Sequence, residues 1–371
     1  MATSIHSQPP SGEAKSFDVV ATYHRLLQED PDLTMPVAAI EALILGLANT
    51  PATTVSETLD LVSKLTAQLK KSIPNAISLS AGTDLFQQYL ISNLQRPSAR
   101  GDFDSIRGHL VQNGRLFVER AKAARETIAG HGRHFIRDGN TVLTNGGSRV
   151  VGSLLRSAAE SSNDRGRGSI RFRVIYVVSP ASHTSNESES EANIHALRER
   201  DIPVATIPPT AIAYCMDMVT SCFVGAEGVV ENGGVVNRLG TLQMATLAKA
   251  AGKPFYVVSE SHKFVRLYPL GQQDLGIEQN IVDFKTAKGS ENDETGEERG
   301  GSPKDEGVAD MDGSKDAVVG AAAAASSTTA PACRPEEAVD YTPPHLIGGI
   351  ITESGVLLPS AVSEELIKIW F

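Results

Sequence analysis

The spacing of the apolar residues changes near Gly139 and Asn140, and this change constrains the fold more than any other feature of the sequence. Before that point, apolar residues recur at intervals of three or four over 17–27, 37–47, 55–69 and 85–90, and a longer helical pattern covers 103–137. Beyond it, short apolar runs predict strands at 141–144, 172–178, 204–207, 223–224, 255–258 and 347–352. Helical patterns lie between and after them, at 148–160, 191–200, 210–219, 241–251 and 360–371.

Alternating strands and helices predict a parallel sheet that is covered by helices on both faces. We therefore expect an α/β protein with an N-terminal all-helical domain at 16–139 and a Rossmann-like parallel sheet in the C-terminal domain at 140–371. The first residues, 1–15, are expected to form a flexible tail.

An acidic segment interrupts the second domain. Between Lys285 and Asp316 there are ten acidic and five basic residues, so this window carries −5 of the formal net charge of −10. It holds few large apolar side chains and continues into an alanine-rich run. Such a segment buries too little surface to offset its ordering entropy, so we expect a disordered insertion over 286–335. The alternative is a folded segment in which the alanine run forms a helix.

The charge balance and the cysteines exclude several classes of protein. The chain has 34 basic and 44 acidic side chains, which argues against a nucleic-acid or anionic-membrane binder. No apolar run approaches the ~20 residues of a spanning helix, and the first residues lack a secretory signal pattern. The three cysteines form no metal-type pair, so we expect no metal site and a reducing, cytoplasmic setting.

The first candidate site is the loop between the strand at 141–144 and the next helix. Its residues are Asn145, Gly146, Gly147, Ser148 and Arg149. Two glycines permit close backbone approach, and the helix N-terminus offers free N–H groups to an anion. Arg149 adds a forked donor that suits phosphate. The alternative is a tight turn with no ligand.

The second candidate loop follows the strand at 223–224 and is long and rich in glycine. Its polar groups are Glu227, Asn237 and Arg238. Glu227 is a candidate general base, or else it accepts backbone hydrogen bonds and holds the loop's shape. In a third loop, His262 and Lys263 could contact an anion, although a solvated surface position is favoured for the histidine.

No nucleophile is visible for catalysis, so we expect no catalytic residues. Cys215 lies in a predicted helix and Cys222 opens a buried strand, which favours inert core thiols, and Cys333 falls in the insertion. A Ser-centred elbow, a P-loop and a zinc-protease motif are all missing from the sequence.

Two long stretches resemble a known family. They are FVGAEGVVENGGVVNRLGTLQMATLAKAAGKPFYVVSESHKFVRLYPLGQQD and VDYTPPHLIGGIITESGVLLPSAVSEELIKIW. Both are similar to the alpha subunits of eukaryotic translation initiation factor 2B. The resemblance implies a non-catalytic regulatory subunit of the guanine nucleotide exchange factor that acts on initiation factor 2. It also implies a homodimer that bridges pairs of beta and delta subunits and helps to sense the phosphorylated alpha subunit of initiation factor 2.

The same α/β domain resembles sugar-phosphate isomerases of the methylthioribose-1-phosphate type, which is the alternative function. Those enzymes carry a cysteine where this chain has Gly146, and an aspartate where it has Glu227. Asn237 and Arg238 stand where the isomerases have an Asn-Lys phosphate pair, whereas Ser179 and Pro180 depart from the family's Glu-Ser pair. The resemblance thus implies a pocket for a sugar phosphate or a nucleoside monophosphate, without turnover and without a required cofactor.

The C-terminal helix ends the chain with an apolar stripe. Its members are Val362, Leu366, Ile369, Trp370 and Phe371. Aromatic residues at a terminus pack either against the chain's own sheet or into a subunit interface. The resemblance favours an interface in a two-fold symmetric dimer.

Overall fold

The computed structural model describes residues 17–30, 33–50, 54–73, 75–94, 103–160, 172–178, 185–279, 281–282 and 338–370. The expected tail at 1–15 and the expected insertion at 286–335 lie outside these residues, as do Cys333, Ser179, Pro180 and Phe371. Within the described ranges, no helix is both long enough and apolar enough to cross a bilayer.

Five helices form the N-terminal region, as predicted. They are α1 (Val19–Glu29), α2 (Met35–Asn49), α3 (Val55–Ser72), α4 (Ile77–Leu94) and α5 (Phe103–Gly132). Asp18 caps α1 by accepting the amides of Val20 and Ala21, each at 3.0 Å. Helix α2 packs against the other four, and its side chains at 38–40 and 42–43 have no exposed surface. This central helix therefore organises the apolar core of the region.

The rest of the described chain forms eleven strands and five further helices. The strands are β1 (Thr141–Asn145), β2 (Arg173–Val177), β3 (Val204–Ile207), β4 (Ser221–Val224), β5 (Gly228–Val230), β6 (Val235–Arg238), β7 (Phe255–Val258), β8 (Phe264–Val265), β9 (Val339–Thr342), β10 (Gly349–Thr352) and β11 (Gly355–Leu357). The helices are α6 (Arg149–Glu160), α7 (Ser185–Arg198), α8 (Ile212–Cys215), α9 (Thr241–Ala250) and α10 (Val362–Trp370).

Seven strands form the main sheet, in the order β3-β2-β1-β4-β7-β10-β11. All neighbouring pairs are parallel except β10 and β11, which form a hairpin. Separate apolar cores lie on its two faces. The chain leaves β1 toward one edge of the sheet and leaves β4 toward the other, so the switch point of a Rossmann-type sheet lies between these two strands. The predicted parallel sheet is confirmed.

A second sheet corrects the interpretation of the region after β4. The stretch predicted as one glycine-rich loop contains the antiparallel pair β5 and β6, and the four-stranded sheet has the order β8-β5-β6-β9. These strands have two to four residues, too few for an apolar alternation to be visible in sequence. The helix predicted at 210–219 is also wrong in extent, because only Ile212–Cys215 is α-helical there and short 3₁₀ turns flank it.

Helix α5 joins the two regions. Val118 and Ala121 belong to the core of the helical region, whereas Ile128 and Ala129 pack with α6 and one face of the main sheet. Near its end, a Cβ at Gly132 would lie 2.1 Å from Leu154 Cδ1, so only glycine lets α5 approach α6 this closely. The helical region therefore rests directly on the sheet.

Candidate functional site

A cleft of about 1550 Å³ opens at the carboxyl ends of β1, β4 and β7, beside the switch point of the main sheet. The loops after these strands line it together with the β6–α9 connection and Asp340 of β9. Residues of the helical region, among them Thr34, Pro36 and Ser78, form the opposite wall. Ligands of open α/β sheets bind at such a crevice. All eight sequence-predicted ligand residues line this cleft: Asn145, Gly146, Gly147, Ser148, Arg149, Glu227, Asn237 and Arg238.

The loop after β1 turns sharply into α6 at Gly146, which has a φ of +66°. This left-handed conformation favours glycine. A Cβ at Gly146 would have no neighbour within 4 Å, so the space beside it is open. Ser148 directly precedes α6: its carbonyl accepts the Gly152 amide at 3.0 Å, and its Oγ lies 3.5 Å from the Val151 nitrogen. The first amides of α6 thus border the cleft, as an anion site requires.

Arg149 connects this loop to the helical region. Its Nη1 donates to the carbonyl oxygen of Leu33 at 2.9 Å, in the connection between α1 and α2. Arg149 therefore lines the cleft and at the same time binds its opposite wall.

Glu227 and Arg238 form an ion pair across the second loop. Arg238 Nε lies 3.0 Å from Glu227 Oε1, and the two side chains are 34% and 15% exposed. The other carboxylate oxygen, Oε2, accepts a hydrogen bond from Asn75 Nδ2, which lies between α3 and α4. Both oxygens of Glu227 thus have partners inside the protein, and one of these partners belongs to the helical region.

A small network links the loops after β1 and β6. The hydroxyl of Thr241 accepts hydrogen bonds from Asn237 Nδ2 at 3.1 Å and Asn145 Nδ2 at 3.3 Å, and donates to the Arg238 carbonyl at 2.7 Å. Asn145 Oδ1 is buried and has no partner among the described residues. The structure brings both predicted asparagines together and assigns them a positioning role in the loops.

The third loop holds a buried ionic cluster. Glu260 is 1% exposed, with Lys263 Nζ 3.1 Å from its Oε2 and Arg125 Nε 3.6 Å from its Oε1. Burial by itself would raise the pKa of Glu260, but Lys263 and the other nearby positive groups outweigh it and lower the pKa to about 2. Arg125 belongs to α5, so this cluster is a third contact with the helical region.

His262 corrects the surface position favoured by the sequence. It is 3% exposed, and its Nε2 lies 3.3 Å from Thr34 Oγ1 in the helical region. Burial lowers its pKa to about 4, and the negative charge of Glu260 offsets only part of that effect. The imidazole is therefore neutral near pH 7 and supplies no cation to a ligand.

Asp340 is a cleft carboxylate that the sequence did not reveal. It accepts the amides of Gly240 at 2.7 Å and Leu242 at 3.1 Å, and so caps the N-terminus of α9. Burial raises its pKa to about 6, although these backbone hydrogen bonds act against the shift. Both helix ends line the cleft, but Asp340 already accepts the first amides of α9, so we expect the N-terminus of α6 to be the better anion site of the two. No local motif marks Asp340, since its partners lie about a hundred residues earlier.

The two cysteines in the described part of the chain do not line the cleft. Cys215 and Cys222 are buried in the core below the sheet, and burial raises the pKa of Cys222 to about 12. A thiol with that pKa stays protonated at neutral pH. Among the described residues, no group of three His, Cys, Asp or Glu side chains is placed to hold a metal ion.

The structure describes the side chains of two residues of the C-terminal apolar stripe, Val362 and Leu366. Val362 is fully buried and Leu366 is 5% exposed, and both pack in the core beneath the main sheet. For these two residues the structure favours the first alternative, packing against the chain's own sheet. Nothing is described for the side chains of Ile369 and Trp370, nor for Phe371, so their interface role stays a prediction.

Residues 28–359 match the model of the initiation factor 2 subunit family. The chain is 33% identical over 364 residues to the alpha subunit of translation initiation factor eIF2B from Dictyostelium discoideum, covering 97% of this chain and 99% of that protein. It is also 28% identical over 191 residues to the ribose 1,5-bisphosphate isomerase of Archaeoglobus fulgidus, covering 52% of this chain and 54% of that enzyme.

A solved structure shows the same fold. It is a chain of the tetrameric eIF2B complex of two beta and two delta subunits from C. thermophilum, with a TM-score of 0.66 and 16% sequence identity. The match covers 95% of this chain and 93% of that one. At this identity the likeness extends to the fold alone.

Proposed function

The chain belongs to the initiation factor 2 subunit family, and we propose that it is the alpha-type regulatory subunit of initiation factor 2B, the guanine nucleotide exchange factor for initiation factor 2. In this role it acts in the cytoplasm, and the exchange chemistry belongs to another subunit. Membership of the family and near full-length similarity to an alpha subunit support a regulatory subunit.

The observation that carries the non-catalytic part of the proposal is the geometry around Gly146. No reactive group stands at this position, and the Glu227 carboxylate, which stands where the isomerases have their aspartate, is bound to Arg238 and Asn75. An isomerase needs a proton-transferring group aimed at the substrate, and misplacement by about 1 Å can cost ~10²-fold in rate. A cleft of this kind suits binding better than turnover.

The cleft suits a phosphorylated small molecule. The first amides of α6, together with Arg238 and Lys263, line the cleft and bring positive potential to it. The polar side chains of Gln243 and Gln273 also line the cleft and can bind hydroxyl groups. We therefore propose a sugar phosphate or a nucleoside monophosphate as regulatory ligand, bound without a cofactor.

The proposed assembly is a homodimer that joins beta and delta subunits. Three large apolar side chains near the second sheet are mostly exposed: Leu270 (86%), Leu358 (65%) and Ile367 (58%). Two hydrogen bonds connect these segments to the turn between β5 and β6. A carbonyl of the turn accepts a hydrogen bond from Ser363 Oγ at 2.8 Å, and a side-chain amide of the turn donates one to the Pro269 carbonyl at 2.9 Å. Exposed apolar groups on one surface are typical of a protein interface. The helical region is proposed to meet the phosphorylated alpha subunit of initiation factor 2.

Two assays on the purified full chain test the function. Affinity capture with the tagged protein from a cell extract should recover the beta and delta subunits of initiation factor 2B. Incubation with ribose 1,5-bisphosphate should leave this compound unchanged, as followed by phosphorus NMR. Conversion to a ketose, or capture without these subunits, would replace the proposal with the isomerase alternative.

A charge in the apolar surface tests the dimer. Leu358→Asp should weaken self-association by at least about tenfold, because a desolvated carboxylate would face an apolar partner. Val55→Asp, on an exposed position of α3, is the matched control and should leave the dimer intact. Sedimentation equilibrium measures both, and equal association of the two variants would contradict the proposed surface.

A further inference from the structure

Every strand-end loop of the cleft is bonded to the helical region. These contacts include Arg149 to the carbonyl of Leu33, Glu227 to Asn75, and Glu260 to Arg125. The strand-end loops that would hold a ligand are thus the same loops that bind the helical region. A ligand that changes one of these contacts would change the attachment of the helices.

Among these residues, Glu227 would compete with a bound anion for the same positively charged partner. Its carboxylate lies against Arg238, one of the cations expected to bind a phosphate, and both side chains line the open cleft. A carboxylate and a phosphate seek the same guanidinium donors. A phosphate that bound Arg238 would also repel Glu227, because the two negative charges would lie within a few ångströms in a partly buried site.

We propose that Glu227 is an internal anion that occupies the phosphate position at Arg238, so that a phosphorylated ligand binds by displacing it. This inference rests on the proposed regulatory pocket and names the residue that sets the affinity and specificity of that pocket. Glu227 then selects against weakly charged anions, since a ligand must interact with Arg238 more strongly than Glu227 does.

Displacement of Glu227 reaches the helical region through Asn75. The side chain of Asn75 uses both ends: Nδ2 donates to Glu227, and Oδ1 accepts the amide of Ile77 at 3.2 Å at the start of α4. Helix α4 contributes to two apolar cores. Ile77 packs against the second sheet, and Phe86 packs in the core of the helical region. When Glu227 moves, α4 loses its polar link to the cleft and retains its apolar contacts.

Titration with inorganic phosphate and with ribose 5-phosphate tests the competition, using calorimetry on the full chain. Glu227→Gln should bind both about tenfold more tightly than the unaltered protein, because the internal anion is gone while the side-chain shape is kept. Asn75→Ala should also bind both ligands more tightly than the unaltered protein does, because the ligand no longer has to break the contact between Asn75 and Glu227. Asp84→Asn is the matched control: it breaks the 2.8 Å ion pair with Lys70 inside the helical region and should leave the affinity unchanged.

Hydrogen exchange of residues 75–80 gives the second readout. Saturating ribose 5-phosphate should speed exchange there in the unaltered protein, and should have no such effect in Asn75→Ala. Equal or weaker binding by Glu227→Gln, or unchanged exchange in a protein that binds, would overturn the internal-anion proposal and leave the regulatory pocket standing. No binding of ribose 5-phosphate by either the unaltered protein or Glu227→Gln would overturn the pocket as well.

Discussion

Glu227 and Glu260 both follow parallel strands of the main sheet, and both bind the helical region, yet their surroundings differ. Glu260 is 1% exposed and faces Lys263 and Arg125, which are themselves 14% and 13% exposed. Glu227 is 15% exposed and faces one arginine that is 34% exposed, with a neutral amide as its second partner. The first is a buried charge cluster, and the second is an ion pair at the edge of a cleft.

The difference indicates which contact can respond to a ligand. Breaking a buried ion pair leaves uncompensated charges in a medium of low polarity. We therefore expect the contact between the Glu260 cluster and the helical region to stay formed when a ligand binds. At the cleft edge, water and ligand can replace a lost partner, so the Glu227 contact can open at modest cost. The same chemical group, a carboxylate, therefore makes a lasting contact with the helical region in one loop and a contact that a ligand can break in the other.

The largest expected effect comes from Glu260→Gln. This variant leaves Lys263 and Arg125 without their buried counter-charge, and we expect a loss of about 3–5 kcal/mol in the free energy of unfolding. Urea denaturation followed by circular dichroism measures it. The matched variant Glu227→Gln should cost only about 1 kcal/mol, because its partners are nearer to solvent. Losses of equal size would show that the two carboxylates are not distinct in role.

The second prediction concerns the pH dependence that His262 gives to the buried cluster. Glu260, Lys263 and Arg125 surround this side chain together with Thr34. Its pKa is lowered from 6.5 to about 4, so between these values the unfolded chain binds more protons than the folded one. Stability from the neutral imidazole is fully present above pH 6.5 and is lost as the pH falls toward 4.

His262→Gln should remove this component, on the order of 2–3 kcal/mol across that range, as measured by urea unfolding at each pH. Asp340 acts in the opposite direction, because its raised pKa makes the folded state bind more protons between pH 4 and 6. Asp340 is present in both proteins, so the difference between them isolates His262. His345→Gln, at an exposed position, is the control and should keep the profile of the unaltered chain. An identical profile in His262→Gln would contradict the buried neutral histidine.

The fold could be predicted largely from sequence, because the period of the apolar residues is a local property. The strands of the main sheet are apolar runs of three to five residues, and the glycine turn at Gly146 is visible as a Gly-Gly pair. The short strands β5 and β6 carried no readable alternation. The placement of residues 145–149 and Glu227 at one cleft also follows from a local rule, since the ends of parallel strands share one edge, whereas Asn237 and Arg238 reach the cleft from β6 of the second sheet.

The contacts that decide the role of the cleft could not be predicted in this way. Asn75 meets Glu227 across 152 positions, and Thr34 meets His262 across 228. Nothing in the neighbouring residues indicates either pairing, because each depends on how α2 and α4 lie against the sheet. His262 illustrates the consequence: a polar residue in a polar loop indicates exposure, and only the packing of the helical region buries it.

The smallest predicted effect concerns Arg149, the third strand-end contact. In this contact its guanidinium donates to the neutral carbonyl of Leu33, so losing the contact leaves no uncompensated charge on Leu33, in contrast to the loss of Glu260. Arg149→Met keeps the apolar stem and should cost about 1 kcal/mol in the free energy of unfolding, which is typical of one lost hydrogen bond. Arg25→Met is the matched control, since it removes an exposed ion pair with Glu29 at 3.8 Å on α1, a contact expected to contribute about 0.3 kcal/mol. If both methionine variants unfold at the same urea concentration, the Leu33 contact does not help to hold the helical region, and the attachment of the helices rests on the remaining contacts of Glu260, Glu227 and His262 and on apolar packing.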